Sequence, residues 1–208
     1  VTTFFHEFGH ALHGLLSNVT YKSLAGTSVP RDFVELPSQI MENWAAEPEV
    51  LKMYAKQYKT GELIPESLIN KLKKAGTFDQ GFTTTEYLAA SLLDLEYHSQ
   101  TKDITMDANA FEKAAMKKIG TYFNHVFAGG YSSGYYSYIW SGVLDTDAFE
   151  VFKTTTLFNP EKAKSFRENV LEKGGTEDPM VLYKRFRGAE PSIEPLLRKR
   201  GLDKKQET

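Results

Sequence analysis

The length, composition and charge of the sequence exclude several classes of protein. With 208 residues, 41% of them hydrophobic, the chain can bury a sizeable core and should fold. Its formal net charge is -2, so we expect no attraction to nucleic acid or to an anionic membrane. It has no cysteine, which excludes disulfides, thiolate metal ligands and a cysteine nucleophile. Any metal site must therefore use histidine and carboxylate side chains.

The sequence also lacks the signals of a membrane or secreted protein. No apolar run approaches the roughly 20 residues that are needed to span a bilayer. The N-terminal stretch has neither the basic start nor the apolar run of a signal peptide. We therefore expect no membrane partner and a cytoplasmic location.

The first predicted elements are a helix and a short strand. Apolar residues recur at helical spacing through residues 2–17, which predicts an amphipathic helix there. Its apolar face is expected to carry Phe5, Phe8, Leu12 and Leu15. Residues 19–27 are β-branched or aromatic at alternate positions, which predicts a single strand that leads into a Gly-Thr-Ser turn.

The rest of the chain has mostly helical periodicity. A long helix is expected from residue 32 to residue 58, with Pro37 in its first turns and a break or kink at Pro48. Later helices are expected over residues 65–75, 79–100, 107–121, 134–153, 160–172, 178–187 and 191–200. No internal repeat or low-complexity linker divides the chain. The predicted fold class is mainly α, with a minor short β element.

Residues 6–10 read HEFGH and form the first candidate site. Residues i and i+4 of a helix lie on one face, so the rings of His6 and His10 can converge on a single metal ion. Glu7 lies at the edge of that face, where it can hold a water molecule without being a ligand. An ordinary amphipathic helix that happens to carry two histidines is the alternative interpretation.

A third ligand has to come from outside HEFGH, because a catalytic zinc ion takes three protein ligands and an open position. The pattern HExxHxxGxxH does not fit, since His13 and Leu16 stand where it needs glycine and histidine. Glu35, on the second predicted helix, can supply the ligand instead. Glu42 lies on the same face of that helix and is either an acceptor for the far N–H of a ligand histidine or a solvated carboxylate.

A cluster of tyrosines begins within the glycine-rich stretch FAGGYSSG, residues 127–134. A protonated tyrosine can donate a hydrogen bond to the oxyanion of a tetrahedral intermediate. The tyrosines of this cluster are Tyr131, Tyr135, Tyr136 and Tyr138. The alternative is an aromatic helix start that packs into the core, and we favour this interpretation for Tyr136. Two other histidines are interpreted as structural, at His13, and as solvated, at His98.

The chain resembles peptidase family M3, a family of zinc metallopeptidases, in the segments HEFGHALH, DFVELPSQIMENW, FNHVFAGGYSSGYYSYIW and GGTEDPMVLYKRFRGAEPSIEPLLRKRGL. These segments extend over nearly the whole chain, and the later ones resemble the bacterial oligopeptidases and peptidyl-dipeptidases. The resemblance implies a multi-helix, zincin-type catalytic domain. It also implies that residues 1–208 are the C-terminal part of that domain, with an N-terminal helical portion of the same polypeptide as a partner.

The resemblance also assigns roles to individual residues. It implies one Zn²⁺ ion per chain, with the ligands His6, His10 and Glu35. The implied catalytic residues are Glu7, as general base, and Tyr138, as the hydrogen-bond donor to the oxyanion. The residues expected to contact substrate are His125, Tyr131 and Tyr135.

The predicted function is therefore hydrolysis of peptide bonds in short oligopeptides by a zinc-activated water molecule. Both internal cleavage and release of C-terminal dipeptides remain open. Two alternatives are a non-catalytic helical interaction domain and a metal-dependent hydrolase of an amide other than a peptide, because the same groups could support that chemistry.

Overall fold

A computed structural model describes residues 1–101, 107–115 and 131–203. Its helices are α1 (Thr2–Leu15), α2 (Leu36–Ala45), α3 (Pro48–Tyr54), α4 (Glu66–Gly76), α5 (Gln80–His98), α6 (Ala108–Ala115), α7 (Ser137–Lys153), α8 (Pro160–Phe166), α9 (Pro179–Arg187) and α10 (Glu194–Arg200). A π-helical turn, Arg167–Leu171, continues directly from α8. The predicted mainly α fold is confirmed. Within the described ranges, no helix is both long enough and apolar enough to cross a bilayer.

The predicted strand at residues 19–27 is wrong. Lys22–Leu24 form a single 3₁₀ turn, in which the N–H of Leu24 donates to the carbonyl of Tyr21 at 2.9 Å. The turn satisfies the backbone locally, and no neighbouring strand is available among the described residues. Within the described ranges, the β pairing consists of one isolated bridge between Lys56 and Leu63.

The long helix predicted over residues 32–58 is divided and shortened. It begins only at Leu36, with Pro37 in its first turn, where the missing proline N–H is tolerated. The helix is interrupted before Pro48, as predicted, because helical backbone is disfavoured at a residue that precedes proline. Glu47 is accordingly extended, with φ -70° and ψ 137°. Glu35 therefore lies at the N-terminal cap of α2 and not inside the helix.

Helix α1 crosses the start of α2 at very short range. A Cβ added at Gly9 would lie 2.2 Å from the carbonyl oxygen of Pro37 and 2.5 Å from the Cα of Ser38, so only glycine fits there. Of the apolar residues at helical spacing in α1, Phe8 and Leu15 are exposed, whereas Leu12 is partly buried against the core.

The core fixes α2 against α7. Its buried members are Phe33, Leu36, Ile40, Leu144, Ala148, Phe149, Phe152, Phe166, Val170, Leu171, Tyr183 and Phe186. The ring of Trp44 packs edge-on at 4.6 Å from Phe149 and 4.8 Å from Phe152, measured between ring centroids. Burial of this apolar surface stabilises the contact between the two helices. Since Glu35 caps α2 and Tyr138 lies in the first turn of α7, the core also sets the distance between these two residues.

Candidate metal centre

His6 and His10 lie on one face of α1, four residues apart. Their ring centroids are 4.9 Å apart, and the ring planes are nearly perpendicular at 85°. Both side chains are only partly exposed, at 22% and 25%. The helix therefore presents two imidazoles side by side toward the start of α2.

Glu35 faces both imidazoles. Its Oε2 atom lies 3.4 Å from His6 Nε2 and 3.2 Å from His10 Nε2. One ligand atom from each of the three residues lies within 4.8 Å of the other two. The three residues that the sequence singled out are thus brought together in space.

The spacing of these atoms suits a zinc ion. Two ligands that each lie about 2.1 Å from a tetrahedral zinc are about 3.4 Å apart, and the two His–Glu distances are close to that value. Two imidazoles and one carboxylate are also a known ligand set for catalytic zinc. The residues present therefore fit the ion that the sequence predicted.

Glu35 is held in its charged form by several donors. Burial alone would raise its pKa, but hydrogen bonds with His10, Ser38 and Tyr131 and the charge of His10 outweigh it and lower the pKa of Glu35 to about 2. The hydroxyl of Ser38 donates to Glu35 Oε2 at 2.8 Å, and the hydroxyl of Tyr131 donates to Oε1 at 3.1 Å. The carboxylate is therefore both oriented and ionised at neutral pH.

Glu42 contacts the other side of the His6 ring. Its Oε1 lies 2.6 Å from His6 Nδ1, so the N–H at Nδ1 donates to the carboxylate and leaves Nε2 facing Glu35. This hydrogen bond is the main reason that the pKa of His6 is raised, and burial opposes it. Of the two interpretations left open for Glu42, the structure places it as an acceptor and not as a solvated carboxylate.

Glu7 and His13 lie on different sides of α1. Glu7 is exposed and follows His6 directly, and its negative charge contributes to the raised pKa of His6. His13 is fully buried, and neither ring nitrogen has a hydrogen-bond partner among the described residues. Burial, together with the charge of His10, lowers the pKa of His13 to about 4, so the ring is neutral at pH 7.

One tyrosine contacts the candidate ligands, and a second packs against it. Tyr131 donates to Glu35, and the ring of Tyr138 stacks on Tyr131 with a centroid distance of 5.1 Å. Burial, followed by a hydrogen bond with Tyr131, raises the pKa of Tyr138, so its hydroxyl stays protonated. Tyr135 is buried against Tyr87, with ring centroids 5.0 Å apart.

One interpretation outside the metal-ligand residues is wrong. Tyr136 is 36% exposed and donates to Asp32 Oδ2 at 2.8 Å, so it does not pack in the core. His98 is exposed at the end of α5, as predicted, and its Nδ1 also lies 2.8 Å from Oδ1 of the buried Asp94. His125 lies outside the described residues.

Two residues of the site were missed by the sequence analysis. Ser38 follows Glu35 by three positions at a helix start, and this local spacing was a usable signal. Gly9 lies inside HEFGH. The close crossing of α1 and α2 requires glycine at this position, and only the structure shows this, because it places Pro37 beside Gly9.

A mainly helical chain that brings two histidines of one HExxH helix and a distant glutamate together has the arrangement of a zinc-peptidase catalytic domain. The model of peptidase family M3 matches residues 1–202. The chain belongs to this family, and the resemblance inferred from the sequence is confirmed.

Curated relatives agree with the family assignment. The chain is 40% identical to dipeptidyl carboxypeptidase of Escherichia coli over 216 residues, which cover 98% of the chain and 32% of the relative. It is 41% identical to oligopeptidase A of the same organism, over 97% of the chain and 32% of the relative. Identity to saccharolysin of Saccharomyces cerevisiae is 34%, over 97% of the chain and 30% of that protein. The chain thus spans about a third of the length of these relatives.

Proposed function

We propose that this chain carries the catalytic centre of a zinc metallopeptidase that hydrolyses short peptides. The observation that carries the proposal is the convergence of His6, His10 and Glu35, with the Glu35 carboxylate 3.2 to 3.4 Å from both imidazoles. In this proposal those three residues hold one zinc ion per chain. Glu42 orients His6, while Ser38 and Tyr131 orient Glu35.

Zinc bound at these ligands would supply a Lewis acid that lowers the pKa of water toward 7 and polarises a peptide carbonyl. Glu7 follows His6 directly and is exposed beside the ligand face. In the proposed reaction Glu7 takes the proton from the attacking water molecule and passes it to the leaving amine. No side chain bonds covalently to the substrate in this scheme.

Tyr138 is proposed to stabilise the negative charge that develops on the carbonyl oxygen. Its raised pKa keeps the phenol protonated, so the hydroxyl can donate at neutral pH. A hydrogen bond that strengthens as charge develops lowers the barrier and not only the ground-state energy. Tyr131 and His125 are proposed to contact the substrate. The substrate contact expected of Tyr135 stays a prediction, because its side chain is buried against Tyr87.

Peptides are the proposed substrates because relatives at about 40% identity are named dipeptidyl carboxypeptidase and oligopeptidase A. Since the chain spans about a third of their length, we propose that residues 1–208 are one part of a longer polypeptide. That they form the C-terminal part of the catalytic domain stays a prediction from the resemblance. A further helical portion of the same polypeptide would complete the substrate channel. The cytoplasmic location stays a prediction.

Replacement of Glu7 tests the mechanism. In the full-length gene product, Glu7→Gln should keep zinc bound and lower kcat by roughly 100- to 10,000-fold, since the amide cannot accept the proton. Glu49→Gln, at an exposed carboxylate of α3, is the matched control and should leave kcat unchanged. If zinc content falls in step with activity, Glu7 is a ligand or a structural residue and its role as base is wrong.

The substrate class is tested with quenched peptides of increasing length, each with a free and with an amidated C-terminus. Cleavage of both forms supports an oligopeptidase, whereas loss of cleavage on amidation supports release of C-terminal dipeptides. Hydrolysis of a non-peptide amide in preference to every peptide would favour the alternative amidohydrolase. Zinc binding without any hydrolysis would favour an interaction domain.

A further inference from the structure

The backbone turn that leads into α7 needs support from outside. Ser133 has φ of +58°, in the left-handed region that residues with a Cβ rarely adopt. The turn is closed by the N–H of Gly134, which donates to the carbonyl of Tyr131 at 2.8 Å. Since Tyr131 and Tyr138 flank this turn, its conformation decides where both hydroxyls lie.

Asp94 of α5 supplies that support. Its side chain is fully buried, and its two carboxylate oxygens accept separate backbone hydrogen bonds. The N–H of Ser133 donates to Oδ1 at 2.7 Å, and the N–H of Tyr135 donates to Oδ2 at 2.9 Å. A buried carboxylate with two charge-assisted hydrogen bonds is a strong and directional anchor.

A second residue of α5 contacts the same turn. The hydroxyl of Tyr87 donates to the carbonyl of Tyr135, and the two rings pack with centroids 5.0 Å apart. His98 Nδ1 lies 2.8 Å from Asp94 Oδ1 and also 2.8 Å from the backbone carbonyl oxygen of Asp94. Helix α5 therefore holds both the N–H and the C=O of Tyr135.

We propose that Asp94 is a positioning residue for the peptidase reaction, which holds Tyr131 against Glu35 and Tyr138 against Tyr131 by fixing the backbone of Ser133 and Tyr135. The proposal rests on the proposed function. It explains why Asp94 is completely buried although its carboxylate does not contact His6, His10 or Glu35. The carboxylate accepts from the N–H groups of Ser133 and Tyr135 and lies 2.8 Å from His98 Nδ1. Asp94 acts through the tyrosines, so its loss should lower turnover by more than it lowers zinc affinity, which it influences only through the hydrogen bond from Tyr131 to Glu35.

Asp94→Asn in the full-length gene product is the main test. Asparagine has the same shape, but it turns one acceptor into an NH₂ group that faces a backbone donor. At saturating zinc we expect a full zinc content and a kcat that falls by roughly 10- to 100-fold, the range for misplacement of catalytic groups by about 1 Å. The matched control is Asp147→Asn, which removes charge from a buried aspartate of α7 that pairs with Arg187 at 2.8 Å. It should lower Tm without a change in kcat.

A double-mutant cycle separates positioning from a general structural role. In a Tyr138→Phe background, Asp94→Asn should lower kcat further by less than about threefold, because both changes remove the same contribution. An undiminished loss in that background, or an unchanged kcat in the single variant, overturns the proposal. If Asp94→Asn does not fold, Tyr87→Phe is tested in its place. It should lower kcat by less than the range expected for Asp94→Asn, and it should do so only while Tyr138 is present.

Hydrogen exchange at the amides of Ser133 and Tyr135 gives a readout that does not depend on activity. Both amides should exchange faster in Asp94→Asn than in the wild type and in Asp147→Asn. Unchanged exchange contradicts the anchoring by Asp94 whatever the kinetics. If the wild type hydrolyses no peptide, the proposed function fails and the positioning role fails with it, whereas the exchange result still shows whether Asp94 holds the turn.

Discussion

The histidines of the proposed metal centre and the tyrosines beside it are held in different ways. His6 and His10 are set by the repeat of one helix, and their partner Glu35 lies at a helix cap that α1 crosses directly. The turn at residues 131–135, called the tyrosine turn below, is held by hydrogen bonds with Asp94 of α5, which lies 39 to 41 residues away in the sequence. Damage to the first region should release zinc, whereas damage to the second should leave zinc bound and slow turnover.

The largest effect that separates the two regions is expected at Tyr138. Tyr138→Phe should lower kcat and kcat/KM together by roughly 10- to 1,000-fold, the range for loss of one oxyanion donor, with zinc retained. Tyr136→Phe is the matched control, because its hydroxyl contacts Asp32 and not the cluster, and it should change little. Comparable losses at both positions, or a change confined to KM at Tyr138, would contradict the assignment.

Loss of Glu42 should affect the other region. Glu42→Ala removes the acceptor that orients His6, so zinc affinity should fall by roughly 10- to 100-fold. Glu49→Ala, at an exposed position of α3, is the control. Competition with a fluorescent chelator measures the zinc affinity of both variants. Equal zinc affinity in the Glu42 variant and the wild type would show that the 2.6 Å contact does not support the metal centre.

Gly9 tests how closely α1 must approach α2. Gly9→Ala places a Cβ against backbone atoms that cannot move aside, so the free energy of unfolding should fall by about 3 kcal/mol. Gly14→Ala on the same helix meets nothing within 4 Å and should stabilise the chain by about 0.5 to 1 kcal/mol. Urea unfolding measures both variants. A Gly9→Ala variant as stable as the wild type would mean that the two helices lie farther apart.

The smallest effect concerns the pH dependence of stability at His13. Its folded pKa of about 4 is below the unfolded value of 6.5, so the folded state binds fewer protons. The contribution of neutral His13 to the free energy of unfolding is therefore present above pH 6.5 and is lost as the pH falls toward 4. At 1.36 kcal/mol per pKa unit, we expect a loss of about 2 kcal/mol between pH 7 and pH 5.

His13→Leu should remove this part of the pH dependence. Unfolding by urea is compared at the two pH values, with a chelator present so that release of metal does not contribute. The difference between the wild type and the variant isolates His13 from His6, whose raised pKa acts in the opposite direction. The same pH dependence in both proteins would show that His13 is not buried as a neutral ring.

Local features of the sequence predicted most of the metal centre. The spacing of His6 and His10 gives a common face on any helix, and Pro48 breaks a helix because of its own covalent structure. The search for a third ligand on a second helix made Glu35 a candidate, and the resemblance assigned the ligand role to it. Its hydrogen bond with Tyr131 depends on tertiary packing between residues 96 positions apart, which no periodicity reveals.

The errors have a common physical origin. Residues 19–27 have the composition of a strand, but a strand needs a partner, and a local 3₁₀ turn satisfies the backbone instead. Tyr136 was misinterpreted because its partner Asp32 lies 104 positions away in the sequence. For the same reason nothing in the sequence around Asp94 marked it as the support of the tyrosine turn.

Convergence of His6, His10 and Glu35 on one zinc ion is tested most directly by zinc titration and X-ray absorption of the wild-type protein beside Glu35→Gln, with Glu49→Gln as control. We expect one equivalent of zinc, with two nitrogen ligands and one carboxylate oxygen at about 2.0 to 2.2 Å, and a loss of affinity confined to the Glu35 variant. Equally tight zinc binding in Glu35→Gln, or no zinc bound to the wild type, would contradict this metal centre.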